Sequence, residues 1–500
     1  MTVRKPPPAF PCVFLLRLAV LPAGMLGGQR ADALPSLGPD PRWPQAGATV
    51  AAREYSRGSL RAIPDGTGGC IAAWQDARKL PPASCNCRNL DDLYAQRISA
   101  DGSFLWDRDG LAVCTWNGLW GGADILAGIS SPSPGSALVF WYHTDGPEGT
   151  FFHSISPDGR LERGADGATA YAMEAGSKWK GRFAEGGNGE IWLGLDGKLP
   201  EEMKVGGCIM KRGVLSCGTP VVLSSGQEVV TAMVSAGRKG RNVFVTVESR
   251  TGGGGTALRV ASLDRHTLKA RDPVFLAGES ASDRMFFDCA PDGTGGLFVV
   301  WAAADSGGTK ILGQRMDDKG RPAWGSGAVL GSVSAPVPVA ALVHAASGRM
   351  AAAWADEGKL FVMPVTGSGT PAGTASDSAP SGSWPPPGVA KGDAWPASLA
   401  LVLGDRVSPE RRFYIAPLRG SWAAGWVDQG EDGEAVMVAA FDRKGNVGPT
   451  TTVFRQPGVL AELEALVPQP DGSLFVFWAD NRTGGYPTVL RVSRVLGKGL

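Results

Sequence analysis

The 500-residue chain has only four histidines, His143, His153, His266 and His344, and no two stand at the i, i+4 spacing that brings a pair of imidazoles to one metal ion. HExxH and GxSxG are both absent, which leaves no zinc-hydrolase helix and no serine-hydrolase elbow to build a reaction on. The glycine run at 252–255 has no strand-turn-helix context, so it does not point to a phosphate site. Charge is scarce at 19% of residues, and no basic run occurs, which removes the electrostatic reason to expect nucleic acid or an anionic membrane as partner. Beyond the amino terminus no stretch offers about 18 uninterrupted apolar residues, so no transmembrane segment is expected. No metal and no cofactor are expected either.

What is abundant is glycine, at 71 residues, and tryptophan, at 16, a balance that suits many short strands joined by tight turns. The amino terminus reads as an export signal: Arg4 and Lys5 precede an apolar stretch, and Ala31-Asp32-Ala33 offers a small-x-small cleavage site. Residues 1–33 are therefore expected to leave as a signal peptide, with 34–500 remaining as one domain outside the cytoplasm, secreted or periplasmic. Their removal takes four bases (Arg4, Lys5, Arg17, Arg30) and one acid (Asp32) from totals of 49 and 48, leaving a net charge of −2. Of eight cysteines, Cys12 leaves with the signal. Cys208 and Cys217 flank the hairpin-like IMKRGVLS and are placed to pair across it, while Cys114 is placed to pair with Cys85 or Cys87.

A repeat dominates the rest. Residues 63–106 read IPDGTGGCIAAWQDAR, a loop, and DLYAQRISADGSFLW; residues 290–324 read APDGTGGLFVVWAAAD, a loop, and ILGQRMDDKGRPAW; residues 470–494 read PDGSLFVFWADNR and then TVLRVSR. Each copy is a strand, a Pro-Asp-Gly turn, a strand ending at Trp, a loop, a Gln-Arg strand, a Gly turn and a last strand. Four antiparallel strands of this kind make one propeller blade. The marker tryptophans are Trp74, Trp141, Trp192, Trp301, Trp354, Trp426 and Trp478, and the step from Trp192 to Trp301 is about twice its neighbours. RNVFVTVES (241–249) and TALRVASLD (256–264) fill that gap as a degenerate unit, giving eight blades, with seven the alternative if the Trp192 unit is a loop.

The last unit stops after its third strand, whereas residues 42–50, RWPQAGATV, match the approach to a fourth strand at 105–113, LWDRDGLAV. The expected fold is thus an all-β single propeller of four-stranded blades, closed by an N-terminal strand that completes the last blade. The pattern GGxxxxW-x-D-x-R, then YAQR, then DGxxLW resembles a β-propeller repeat of secreted bacterial proteins, most of them without an assigned activity. Members of this kind often carry a carboxy-terminal sorting or Ig-like module; its absence here shifts the expectation from surface anchoring to free secretion or periplasmic residence.

Residues repeated around a ring solve a packing problem common to all blades, whereas a reaction needs one asymmetric constellation. Trp74, Trp301, Trp354, Trp426 and Trp478 are accordingly read as packing residues between sheets, and Asp76, Arg78, Asp480, Arg482, Arg97 and Arg315 as bridges between turns or strands. The first-to-second and third-to-fourth turns share one face and are short. The other two connections, on the opposite face, vary and suit binding. Two irregular segments stand out: 79–92, with its Cys85-x-Cys87, and a Gly/Pro/Ser-rich insertion at 366–396. The insertion carries Trp384 and Trp395, which either anchor it on the propeller or stack on a sugar or protein partner. SADGSFLW (99–106) superficially approaches the sialidase Asp-box but has the wrong glycine spacing.

Three functions compete. The first is a non-catalytic, monomeric propeller binding a protein or glycan through irregular loops on one rim. The second is a polysaccharide hydrolase or lyase, which requires carboxylates with a Tyr, His or Arg in the central funnel on the variable face. The third is a structural component of the cell envelope, which requires a flat apolar patch.

Overall fold

The computed structural model describes residues 36–52, 59–76, 92–114, 124–143, 149–162, 167–172, 183–186, 190–196, 202–211, 214–224, 228–237, 239–251, 255–267, 269–280, 287–305, 308–325, 327–333, 341–346, 349–365, 401–402, 407, 412–431, 433–442, 446–482 and 489–498. Their strands form eight antiparallel sheets. The inner strands, in blade order, are Arg61–Pro64, Asp124–Ser130, Phe183–Glu185, Val229–Ala236, Phe287–Pro291, Ala341–Ala346, Tyr414–Leu418 and Ala461–Pro468. Each touches the next, and the eighth touches the first, so the sheets close into a ring. Eight apolar cores fill the gaps between blades, one per gap.

The Trp192 unit is not a loop: Glu190–Asp196 is the second strand of the third sheet. The degenerate unit supplies the second and third strands of the fourth sheet, Asn242–Arg250 and Thr256–Asp264. Cys208 and Cys217 face each other across the hairpin of Glu202–Lys211 with Val214–Cys217 and are joined by a disulfide. Cys114 is buried at the end of the outer strand of blade 1, opposite Leu93; Cys85 and Cys87 lie outside the described residues. So do residues 1–33, Arg78, Trp384 and Trp395.

Closure takes two short strands rather than one. Ser36–Pro39 and Ala48–Ala51 both pair with Val489–Lys498, the third strand of blade 8. Trp43 and Gly47 then stand in blade 8 where Trp106 and Gly110 stand in blade 1. The Trp43 indole donates to the Ala100 carbonyl of blade 1 at 3.1 Å, as Trp106 donates to the Pro157 carbonyl of blade 2 at 3.2 Å. Gly47 and Gly110 have φ of +70° and +90°, and a Cβ on either would sit 2.3 and 2.7 Å from the ring of the second-strand tryptophan, Trp478 and Trp74 respectively. The repeated glycine thus lets the chain turn into the outer strand while the largest side chain of the blade lies flat beneath it.

The repeated polar letters have an equally local purpose. Asp65 opens the first turn of blade 1 and accepts from the amides of Thr67 (2.8 Å) and Gly69 (2.9 Å), while Arg97 from the third strand donates to it at 2.9 Å. Arg97 also reaches the Pro157 carbonyl of the next blade, 3.2 Å away. Asp292, Thr294, Gly296 and Arg315 repeat the arrangement in blade 5. Gln96 accepts from the amides of Arg97 and Trp106 and so ties the third strand to the loop beyond it, as Gln314 does with Arg315 and Trp324.

The third copy corrects the alignment by letters. In blade 8 the turn is opened by Gln469, whose amide bonds the Ser473 carbonyl as Asp65 bonds Gly69. The Pro-Asp-Gly at 470–472 is therefore displaced by two positions from that at 64–66. Asp471 occupies the place of Thr67, and Arg494 reaches Asp471 at 2.6 Å and Asp40 at 3.6 Å instead of a turn-opening aspartate.

Candidate functional site

Blade symmetry makes departures from it informative. Other inner strands carry single charged residues, such as Arg61, Asp124, Glu185 and Asp288, whereas the seventh is preceded by Arg412-Phe413 and starts with Tyr414, and the eighth places two carboxylates, Glu462 and Glu464, within its first four residues. Both strands begin on the face of the fourth-to-first and second-to-third connections, so the four polar side chains gather at the variable mouth of the ring. Arg412 Nε lies 3.8 Å from Glu462 and its Nη1 3.8 Å from Glu464. The same guanidinium donates to the Tyr414 phenolic oxygen.

Local structure fixes this group. Leu463 pairs with Trp478 and Ala465 with Phe477, so Glu464 is the extra residue of a β-bulge in the inner strand. A bulge shifts the strand's phase: Ala461, Leu463 and Leu466 pack toward blade 7, Ala465 and Val467 toward blade 1. The strand's first turn is held by Glu434, which accepts from the Ala461 amide at 2.6 Å, and by Asn481, which accepts from the Leu460 amide at 2.8 Å.

The group is largely but not wholly covered: side-chain exposure is 14% for Arg412, 11% for Glu462 and 1% for Glu464. Burial pushes the Tyr414 phenol up to about 12 despite the neighbouring Arg412 charge, so it stays protonated in neutral water. For Arg412, burial alone favours loss of the proton, but the Glu464 and Glu462 carboxylates and the hydrogen bond to the Tyr414 oxygen outweigh it and hold the guanidinium charged. One cation shared by two carboxylates and a phenol presents acceptors and donors side by side, the arrangement that grips a polar ligand.

The remaining sequence-derived residues separate. Trp74, Trp301, Trp354, Trp426 and Trp478 are all buried in the gaps between blades, with no more than 2% exposure. The Trp74 indole donates to Asp76 at 3.0 Å, and Asp480 is gripped by Arg482 and by Arg491 at 2.8 Å. Apart from Asp92, the two irregular segments lie outside the described residues: 79–92 falls between the second and third strands of blade 1, and 366–396 between the third strand Lys359–Val365 and the fourth strand Leu401–Val402 of blade 6. The described strand ends that bracket them lie on opposite faces. Exposed large apolar residues among those described, Leu105, Val214, Val222, Val329 and Leu460, are scattered over blades 1, 3, 5 and 8. Among the described residues no three of His, Cys, Asp and Glu are arranged to hold a metal ion, and no helix is long and apolar enough to cross a membrane.

No protein-family model and no curated protein matches the chain. Solved structures similar to it include a protein of unknown function from Dyadobacter fermentans DSM 18053, at 12% identity and a TM-score of 0.37 over 63% of this chain and 95% of that one. The polysaccharide lyase Uly1 is similar at 10% identity and a TM-score of 0.40, over 86% and 88% of the two chains. Prolyl oligopeptidase B from Galerina marginata is similar at 11% identity and a TM-score of 0.40, over 87% of this chain and 57% of that protein. Likenesses at this level do not bear on activity or ligand.

Proposed function

We propose that the protein is a non-catalytic binding propeller, acting outside the cytoplasm, that takes a protein or glycan ligand at the variable mouth over blades 7 and 8. The observation that carries this reading is the Arg412–Glu462–Glu464–Tyr414 group, in which one guanidinium lies beside two carboxylates and a phenol from two neighbouring blades. Export is supported by the Cys208–Cys217 disulfide, since such bonds persist in oxidising compartments.

A hydrolase or lyase is the second reading, because its required carboxylates with Tyr and Arg stand at the mouth. Ionisation argues against it. A phenol raised to about 12 is a weak proton abstractor near neutral pH, and Arg412 is shared between both carboxylates.

Arg412→Lys keeps the charge but loses the planar fork that spans Glu462 and Glu464. Its ligand affinity is expected to fall at least about tenfold, ~1.4 kcal/mol, by isothermal titration, whereas the Trp384→Ala/Trp395→Ala double variant retains wild-type affinity. The reverse ranking would move the site to the insertion. Release of reducing ends or unsaturated sugars from a bound polysaccharide would install the enzyme reading.

A further inference from the structure

We propose that the face opposite the mouth carries a second binding surface, over blades 4 and 5, for an anionic polysaccharide. The inference is independent of the mouth and follows from cations that the sequence scatters and the fold gathers. Three short turns meet there. The first-to-second turn of blade 4, between Val229–Ala236 and Asn242–Arg250, carries Lys239 and Arg241. Its third-to-fourth turn, between Thr256–Asp264 and Ala270–Ser280, carries Arg265 and Lys269, with Arg271 just beyond. The third-to-fourth turn of blade 5, after Gly308–Met316, carries Lys319 and Arg321. The Arg265 amide donates to the Arg241 carbonyl at 2.9 Å and its guanidinium to the Gly237 carbonyl at 2.8 Å. Across the gap between blades, the Asn242 side chain donates to the Asp318 carbonyl at 2.6 Å and Arg271 to the Lys319 carbonyl.

The charges on these turns do not cancel at the surface. Glu190 takes Arg265, Asp264 takes Arg241 and Asp317 takes Arg321, yet the three acids are only 20%, 8% and 27% exposed, against 66% for Arg241 and 68% for Arg321. Asp264 and Asp317 are further committed to backbone amides of their own turns. Asp292 has no exposed surface and is closed off by Arg315. What remains in water is Lys239, Lys269 and Lys319, whose ammonium groups no described residue engages, and the guanidinium of Arg271. Against them stand the exposed Asp318 and, by sequence, Asp272. With every acid counted the arc holds eight cations over six carboxylates, and its outermost layer is cationic. The charge belongs to this arc alone of the turns compared: the corresponding turn in blade 1, 99–103, has Asp101 as its one charge, and that in blade 2, 156–160, pairs Asp158 with Arg160 at 2.9 Å.

A polymer bearing carboxylates or sulfates meets several of these cations at once, and each contact releases counterions. Arg241 and Arg321 present planar forks already held in place by Asp264 and Asp317. The three turns hold no Trp, Tyr or Phe on which the bases of a single strand would stack, and none of their described residues is a large exposed apolar group that would enter a lipid surface. The export proposed above favours a polymer met outside the cytoplasm.

The test titrates the full chain with heparin and with polygalacturonate, as sulfated and uronate probes. Binding of at least one is expected, with Kd rising at least about tenfold as NaCl goes from about 0.05 to about 0.2 M; the tighter probe names the anion. Lys239→Ser/Lys269→Ser/Lys319→Ser removes three cations that hold nothing in the fold. Its thermal melt is expected to match wild type while binding weakens at least about tenfold. Arg160→Ser, which removes an 80%-exposed cation from the same face at blade 2, is expected to change binding less than about twofold. Failure of both probes to bind, or a triple variant that binds like wild type, would overturn the proposal. Tighter binding of duplex DNA or of phosphatidylglycerol vesicles, lost in the triple variant, would keep the surface and overturn the polysaccharide as its ligand.

Discussion

Asp292→Ala is expected to lower the unfolding free energy by about 3–5 kcal/mol, read from urea denaturation, because it strips the turn of blade 5 and strands an arginine at once. The carboxylate has no exposed surface. It accepts from the Thr294 amide and hydroxyl, both at 2.7 Å, from the Gly296 amide at 2.8 Å, and from Arg315 at 2.8 and 3.0 Å. Alanine leaves two backbone amides without their acceptor and a three-quarters-buried guanidinium without its counter-charge. Asp292→Asn is expected to recover part of the loss, since its carbonyl still suits the amides while its own N–H groups face Arg315. The equivalent change at Asp65 is expected to cost about as much, because Thr67, Gly69 and Arg97 bind it in the same way.

The same residue sets a pH dependence. Burial alone pushes the Asp292 carboxyl up, but the bonds from Thr294, Arg315 and Gly296 outweigh it and hold the group below the ordinary carboxylate range. Asp65 is held down by the corresponding balance of burial against Thr67, Arg97 and Gly69. A carboxyl held below its unfolded value stabilises the fold fully above that value, about 4, and its contribution disappears as pH falls through the folded value. The difference in stability between wild type and Asp292→Ala is therefore expected to be constant near neutrality and to shrink below about pH 4. A gap that persisted unchanged to pH 2 would show that the lost stability came from packing instead.

The repeat explains why so much of the ring is legible in the letters. The second strand, with its tryptophan, and the third, with Gln-Arg, carry side chains whose partners lie within the blade or on the next one, so each copy must keep them. The match of residues 42–50 to 105–113 likewise survives because Trp43 and Gly47 must meet the same neighbours as Trp106 and Gly110. The mouth group escapes such reading. Tyr414, Glu462 and Glu464 belong to inner strands and Arg412 stands two residues before one, where the repeat is weakest, and a search for recurring residues passes over those that occur once. The displaced turn at Gln469 was hidden by an identical Pro-Asp-Gly two positions away. The face from which the insertion leaves depends on the two-residue strand Leu401–Val402, too short to carry a periodic signal.

Closure of the ring gives the second large effect. Trp478→Ala is expected to cost about 3–5 kcal/mol, because the indole is fully buried, stacks on Phe454 at 5.6 Å, and lies under Gly47 of the closing segment. Gly47→Ala introduces a methyl 2.3 Å from the Trp478 ring and 3.0 Å from the Val492 carbonyl, at a φ of +70° that side chains resist. The steric part of that cost needs the tryptophan; the backbone part, on the order of 1–2 kcal/mol, does not. In the double variant the cavity left by Trp478 accepts the methyl, so the combined loss should fall short of the sum of the single losses by at least about 1 kcal/mol. Additive losses would mean that the closing segment shifts away from blade 8 when either residue changes, and that Ser36–Pro39 and Ala48–Ala51 hold the ring by backbone pairing with Val489–Lys498 alone. A shortfall would instead place the seam's strength in the packing of Trp478 against Gly47, the same contact that Trp74 makes with Gly110 inside blade 1. On that outcome the ring is closed by one more copy of its own repeat, assembled from the two ends of the chain.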